Sequence, residues 1–331
     1  MIPGQEESMT VETSELLEPF VRMLDAAAPA AVTRAIEAGA SAASLWQEIA
    51  GSGFLDALVP EDRGGAGLSL AETQPLIEAL GARAVPLPVA ETMVARALLS
   101  RSGVAVPEGA IALVTSLAQP VPCGLVADHA LVDTGQGLVL CAIADLAPRA
   151  TGLVNSLAAR LSGTPQGANV ERPAGGLRPI AAVVRASLIA GAAARLCDQT
   201  TAYAAERIQF GKPIGRQQAL QQMLAIMAED MVACRLAAQL GAAHGLDVPV
   251  AAAATAKIST SSAAPRIAAT AHAVHGAIGI SEEYDLQLLT RRLHEWRMAD
   301  GSEGYWSKVL GEARLGGKET SVDWVRQAVF A

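Results

Sequence analysis

Glu206-Arg207-Ile208-Gln209-Phe210-Gly211-Lys212-Pro213-Ile214 is the stretch around which the rest of the chain arranges itself. Before it, Val184, Leu188, Ala192 and Leu196 recur at helical spacing. After it, Leu220, Met223, Leu224, Met227 and Met231 do the same, as the apolar face of a buried helix should. Farther on, Ala251 to Ala273 consists almost entirely of small residues, which lets helices approach closely. Three or four long helices from Leu177 onward fit a four-helix bundle. Taken alone, Arg207 reads as a cation at a helix end, where the helix dipole favours positive charge.

Two other textures lie upstream. Leu16, Leu17, Phe20 and Leu24 recur at helical spacing, and the same stripe returns at Leu45–Trp46 and at Leu76–Leu80. Between these helices, Val59 to Leu68 carries Pro60, Gly64, Gly65 and Gly67 and reads as a loop. Ser69, with Glu72 three residues on, has the form of a capping box. From about Ala110 the period changes. Ile111–Val114, Gly124–Ala127 and Leu138–Cys141 are short apolar runs bounded by Gly, Pro or Asp, and predict strands. Asp133 to Gly137 predicts a turn, and Gly163–Gly176 a loop or weak edge. The resulting division is a helical segment over 10–109, a small β segment over 110–176 and a helical bundle over 177–331. The β segment is close to the lower limit for burying a core of its own.

Composition narrows the function. Apolar residues make up 51% of the 331 and aromatics 3%, so the core must be Ala, Leu, Val and Ile, which favours helices. A net charge of −8 without a basic block argues against nucleic-acid binding. No apolar run reads as long enough to span a bilayer, and Met1–Thr13 has neither the basic nor the apolar region of a secretory signal. The chain is therefore expected in the cytoplasm. Cys123, Cys141, Cys197 and Cys234 are scattered, and the five histidines lack metal-site spacing. No metal site is expected.

Three motifs, in order along nearly the whole chain, then carry a resemblance. Val59-Pro60-Glu61-Asp62-Arg63-Gly64-Gly65-Ala66-Gly67 is similar to a V-P-E-x-x-G-G-x-G signature. The Glu206–Ile214 stretch, with Gln218, Gln221 and Met227 after it, resembles E-R-x-Q-F-G-x-x-I followed by Q-x-x-Q…M. His275-Gly276-Ala277-Ile278-Gly279-Ile280-Ser281-Glu282-Glu283, with Arg291-Arg292 beyond, is similar to H-G-G-x-G-[FY]-x-x-E. All three belong to the acyl-CoA dehydrogenase family, which removes hydrogen from Cα and Cβ of an acyl-CoA thioester. The resemblance implies a mainly α fold: an N-terminal helical domain, a reduced middle β domain and a C-terminal four-helix bundle.

The resemblance also implies FAD, held mainly by the middle domain of one subunit and completed by a neighbour. It assigns Arg207 to the pyrophosphate of the neighbour's FAD, a role suited to a permanently charged fork of donors. Phe210 packs nearby, Gln218 hydrogen-bonds, and the turn with Gly276 and Gly279 approaches the adenosine, where glycine lets backbone come close. The reaction needs a carboxylate for the α-proton. Ala299-Asp300-Gly301-Ser302 matches the family's Y-E-G-[TS] turn, which makes Asp300 the candidate base. Asp300 also stands where a residue commonly caps a helix N-terminus.

The departures matter as much. Asp is one methylene shorter than Glu, roughly 1–1.5 Å of reach, and about 1 Å of misplacement costs on the order of a hundredfold in rate. The family's other base position, near Leu177–Ala182, has no carboxylate; Glu171 lies just outside it. Ala273 replaces a usual FAD-binding glutamine. The middle segment lacks the T-E-x-x-x-G-S-D and W-[IV]-[TS] segments, and the family's full length is cut mainly there. These features resemble the short degenerate subunit of heteromeric (α2β2) bacterial acyl-CoA dehydrogenases. The implied function is to complete the FAD site of a full-length partner in fatty acid or sterol side-chain catabolism. The implied substrate is an acyl-CoA, and the implied electron acceptor resembles an electron-transfer flavoprotein. Two alternatives stand: a self-sufficient homo-oligomeric dehydrogenase using Asp300, and a non-catalytic scaffold that kept the fold.

Overall fold

The computed structural model describes the backbone of residues 4–330 and the side chains of 15–330. The reading of the Met1–Thr13 side chains falls outside these. Helices α1 (Gly4–Ala27), α2 (Ala30–Glu37) and α3 (Ala43–Gly51) open the chain, followed by α4 (Leu70–Ala82) and α5 (Val89–Arg101). Phe20 and Leu24 are fully buried, and the Phe20 ring lies 4.7 Å from that of Phe54. The Val59–Leu68 loop folds on itself through backbone bonds such as Gly67 N–H to the Val59 carbonyl (2.8 Å). Gly65 is required there: a Cβ would sit 2.1 Å from the Val59 oxygen. The capping box forms as expected. Ser69 Oγ accepts from Glu72 N–H (3.2 Å), and Glu72 Oε2 accepts from Ser69 N–H (2.7 Å).

The β region holds β1 (Ile111–Val114), β2 (His129–Asp133), β3 (Leu138–Ala142), β4 (Arg149–Ala150), β5 (Ala159–Arg160) and β6 (Ala168–Val170). The main sheet runs β1-β2-β3-β6, with β1 and β2 parallel and the other pairs antiparallel; β4 and β5 form a separate short ribbon. One expected strand is absent: Gly124–Ala127 is turn. Pro120 and Pro122 supply no ladder N–H, and Cys123 takes a positive φ of 55°. The partner of β1 is instead His129–Asp133, in register Ile111↔His129 to Val114↔Val132. The expected weak edge within Gly163–Gly176 is β6, paired to β3.

The rest is helical: α6 (Leu177–Glu206), a hairpin of β7 (Ile208–Gln209) and β8 (Lys212–Pro213), then α7 (Gln218–Ala242), α8 (Val250–His275), α9 (Leu286–Met298), α10 (Glu303–Gly316) and α11 (Ser321–Ala328). Helices α7, α8 and α9 pack around α6. By length and mean hydropathy (1.7) α6 could cross a membrane, contrary to the expectation that no run is long enough, yet 89% of that stretch is buried in the protein. It is the core helix. Helix α4 crosses it backbone to backbone: a Cβ on Gly81 would lie 2.1 Å from the Leu188 oxygen, and one on Gly191 1.9 Å from the Glu78 oxygen. Of the α7 stripe, Met227 is buried and its other four members are half-buried. The opposite face of α7 leaves Ile226, Val232 and Leu236 exposed at 54%, 49% and 61%.

Candidate functional site

The sequence-predicted residues fall into two regions at opposite ends of α6. The first surrounds Asp300, in the turn between α9 and α10. Its backbone is left-handed (φ +56°), and Gly301 follows at φ +105°. The turn is closed by Trp306, whose indole N–H donates to the Asp300 carbonyl (3.1 Å). Asp300 does not cap α10. That role belongs to Ser302, whose hydroxyl accepts from Tyr305 N–H.

The Asp300 carboxylate points inward, and each oxygen accepts one hydrogen bond. Oδ1 accepts from Thr115 Oγ1 (2.8 Å), at the end of β1. Oδ2 accepts from Arg185 Nε (3.0 Å), toward the N-terminal end of α6. Arg185 also donates through Nη1 to Glu91 of α5. The three charged side chains are only 1–6% exposed. Burial works against the Arg185 charge, but the carboxylates of Glu91 and Asp300 outweigh it and raise the guanidinium further above its ordinary range. Lys257 of α8 is buried close by and donates to the Trp296 and Arg297 carbonyls (2.8 Å each) and to Ser261 Oγ (3.0 Å). Burial pushes its ammonium down to about 7, with Asp300 opposing. The cluster thus joins α5, β1, α6 and the α9–α10 turn. Such an arrangement suits a fastening, because a carboxylate 6% exposed and paired to Arg185 holds elements together, whereas a base must come within hydrogen-bond reach of its proton.

The second region is open. Helix α6 ends at Arg207, whose N–H donates to the Tyr203 carbonyl and whose carbonyl accepts from Ile214 N–H (2.8 Å each). Between them the β7–β8 hairpin turns at Phe210 (φ +52°) and Gly211 (φ +76°). Arg207 is exposed, Phe210 is 92% exposed, and Gln218 stands exposed as the first residue of α7. Gly276 (φ +62°) ends α8 and begins the tight turn Gly276–Ile280. Gly279 is buried in that turn, where a Cβ would meet His275 Cβ at 2.9 Å. Ala204, Ile214 and Val274 form a small apolar cluster under both segments, with Tyr203 and Leu220 packed on it. Arg207, Phe210, Gln218, Gly276 and Gly279 therefore share one end of the bundle, and Asp300 does not belong to it.

Of the remaining candidates, Glu171 is exposed beyond β6, its N–H bonded to Ser102 Oγ (3.0 Å), and Ala273 is exposed on α8. Arg291 and Arg292 both pair with Glu37 of α2 and so tie the N-terminal helices to the bundle. Sequence reasoning missed Arg185, Glu91 and Thr115. Arg185 did leave a signal: it is the single charge in Ile180–Ala194, and a lone charge in a core helix must find a partner.

Profiles of the acyl-CoA dehydrogenase N-terminal domain and C-terminal domain match residues 10–105 and 180–314. The acyl-CoA dehydrogenase IpdE2 of Mycolicibacterium smegmatis is 32% identical over 296 residues, covering 86% of this chain and 93% of that protein. The chain belongs to the acyl-CoA dehydrogenase family. It is thus an oxidoreductase of the family whose cofactor is FAD. Two solved structures share the fold. The ChsE4–ChsE5 complex from Mycobacterium tuberculosis has a chain at 21% identity and TM-score 0.78, covering 93% of this chain and 98% of that one. The Tcur3481–Tcur3483 steroid acyl-CoA dehydrogenase (G363A variant) has one at 23% identity and TM-score 0.79, with the same coverage. The open rim fits the family's cofactor chemically. It offers a cation that no carboxylate engages among the described residues, an exposed aromatic ring, an amide at a helix N-terminus and a glycine turn.

Proposed function

We propose that this acyl-CoA dehydrogenase chain is the subunit of a heteromeric enzyme that completes the FAD site of a full-length partner and leaves proton abstraction to that partner. The observation that carries the reading is the state of Asp300: both carboxylate oxygens are engaged in a buried cluster with Arg185 and Thr115. At the other end of α6, Arg207 would meet the flavin pyrophosphate, Phe210 would pack beside it, Gln218 would hydrogen-bond, and the Gly276–Gly279 turn would let backbone approach the adenosine. When bound, FAD would supply the hydride acceptor for the β-hydrogen, and the α-proton would go to a carboxylate of the partner, leaving the Cα–Cβ double bond. The names of the two similar complexes favour a second family member as partner, and one favours a steroid-derived CoA thioester as substrate. An acceptor resembling an electron-transfer flavoprotein reoxidises the flavin. A cytoplasmic location completes the proposal and accords with four buried free thiols.

One feature favours the self-sufficient alternative. A cavity of about 850 Å³ opens beside Asp300, lined by Thr115, Arg178, Tyr305 and Trp306. Steady-state turnover of the assembled complex separates the two readings. Asp300→Asn is expected to stay within about threefold of wild type and to match Glu91→Gln, which removes the other charge on Arg185. A loss above about a hundredfold in Asp300→Asn alone, some 2.7 kcal/mol of transition-state stabilisation, identifies Asp300 as the base.

A further inference from the structure

His275 immediately precedes the glycine turn, and its ring lies between two tyrosines. It stacks on Tyr203 at 4.4 Å between centroids with planes 23° apart, and meets Tyr284 at 5.3 Å and 49°. The three rings come from three segments: the last turn of α6, the end of α8, and the chain just past the Gly276–Ile280 turn. Tyr203 is also the residue whose carbonyl receives the Arg207 N–H. The stack therefore touches both segments of the open rim at their roots.

The ring nitrogens say what the side chain contributes. Nδ1 lies 2.8 Å from the Ala271 carbonyl, which only accepts, so the proton is on Nδ1. Nε2 is then an acceptor, and it is buried without a partner among the described residues. Burial lowers the imidazole below its ordinary value, and His272 acts in the same direction while the Ala271 bond opposes. The surrounding titratable groups are Tyr203, Tyr284 and His272, with Glu206 and Asp285 beyond Tyr284. A neutral ring with one nitrogen spent inside its own helix and the other idle contributes its faces, and offset or stacked aromatic faces hold geometry.

We infer that His275 is a positioning residue, clamped between Tyr203 and Tyr284, that couples the Arg207 hairpin to the Gly276–Ile280 turn so that both meet the flavin as one unit. The inference rests on the proposed role of the rim. Its test is FAD affinity of the assembled complex, by flavin fluorescence titration, together with amide hydrogen exchange of Arg207–Ile214. His275→Ala is expected to weaken FAD about tenfold and to raise exchange across the hairpin. His275→Phe keeps the faces, removes both ring nitrogens with the Ala271 bond, and is expected to stay within about threefold with wild-type exchange. In the His275→Ala background, Arg207→Ala is expected to cost less than about threefold, because its contact is already lost; neighbours that act together are not additive. Tyr284→Leu, which removes the outer ring, repeats the test should His275→Ala fold poorly. Full additivity of His275→Ala with Arg207→Ala, or a Phe variant as impaired as Ala, overturns the coupling. Unchanged FAD affinity in Arg207→Ala alone overturns the subunit reading, whereas exchange that responds to Ala and not to Phe still supports the clamp.

Discussion

The two ends of α6 are built to opposite rules. At Arg185 every charge is enclosed and answered by another: Glu91 and Asp300 meet its guanidinium, and Thr115 reaches it through Asp300. At Arg207 the same residue type stands exposed at a helix end, above an apolar cluster and beside a ring that is 92% exposed. The 22 positions between them, at about 1.5 Å each, span roughly 33 Å. One end is therefore closed within the chain, and the other leaves its donors exposed. The family's chemistry needs both a free carboxylate and a flavin-binding rim; on the proposed reading, this chain keeps the rim and uses its carboxylate to hold elements together.

The largest expected effect tests the closed end. Arg185→Ala strands Glu91 and Asp300 in the interior, and breaking a buried ion pair costs about 3–5 kcal/mol. Urea unfolding should show that loss. Replacing all three charges with apolar residues of similar volume should recover most of it. A loss below 1 kcal/mol, on the order of a surface pair, would mean that the cluster is hydrated and that Asp300 has room to act.

Arg207→Ala tests the open end and should leave unfolding unchanged. A hydrogen bond to a charged group is worth about 1.5–3 kcal/mol, so FAD affinity of the assembled complex should drop ten- to a hundredfold. If stability falls and flavin binding does not, the two ends are alike and Arg207 merely closes its helix.

The smallest effect lies at the start of α6. Asp133 Oδ2 accepts from Leu177 N–H (3.0 Å), while Oδ1 accepts from Arg172 Nε and Gly135 N–H (2.8 Å each). Burial raises its pKa, but these donors outweigh it and hold the carboxyl below the ordinary range. A folded-state value below the unfolded one gives stability that is present above the unfolded value, about 3.9, and is lost as pH falls through the folded one. Asp133→Ala should therefore cost about 1 kcal/mol at pH 7, as loss of a cap does. The gap from wild type should close below about pH 4. A pH-independent gap would assign the cost to packing.

Much of this was legible in the sequence, for identifiable reasons. The helices announced themselves through apolar spacing, and the Ser69–Glu72 cap through two residues three apart. The rim was legible because its residues lie in two short contiguous motifs. Gly124–Ala127 misled because apolar content outweighed Pro120 and Pro122 in the reading. His129–Asp133 was overlooked because a histidine and an aspartate bracket only three apolar residues. The closed cluster was legible only as the lone charge of Arg185 in an apolar helix, not in its partners. Thr115, Glu91, Arg185 and Asp300 come from four segments, and nothing short of the fold brings them together. The His275 stack was hidden in the same way, since Tyr203 lies 72 positions upstream.

The central claim, that this chain completes a flavin site it does not own, is tested most directly by counting flavin. The chain is purified alone and again with a full-length family partner, and FAD is measured per chain by absorbance after denaturation. The account predicts far less than one FAD per chain in isolation and bound FAD in the complex, lost from the complex when Arg207 is replaced by Ala. One FAD bound per isolated chain, unaffected by that replacement, would contradict it.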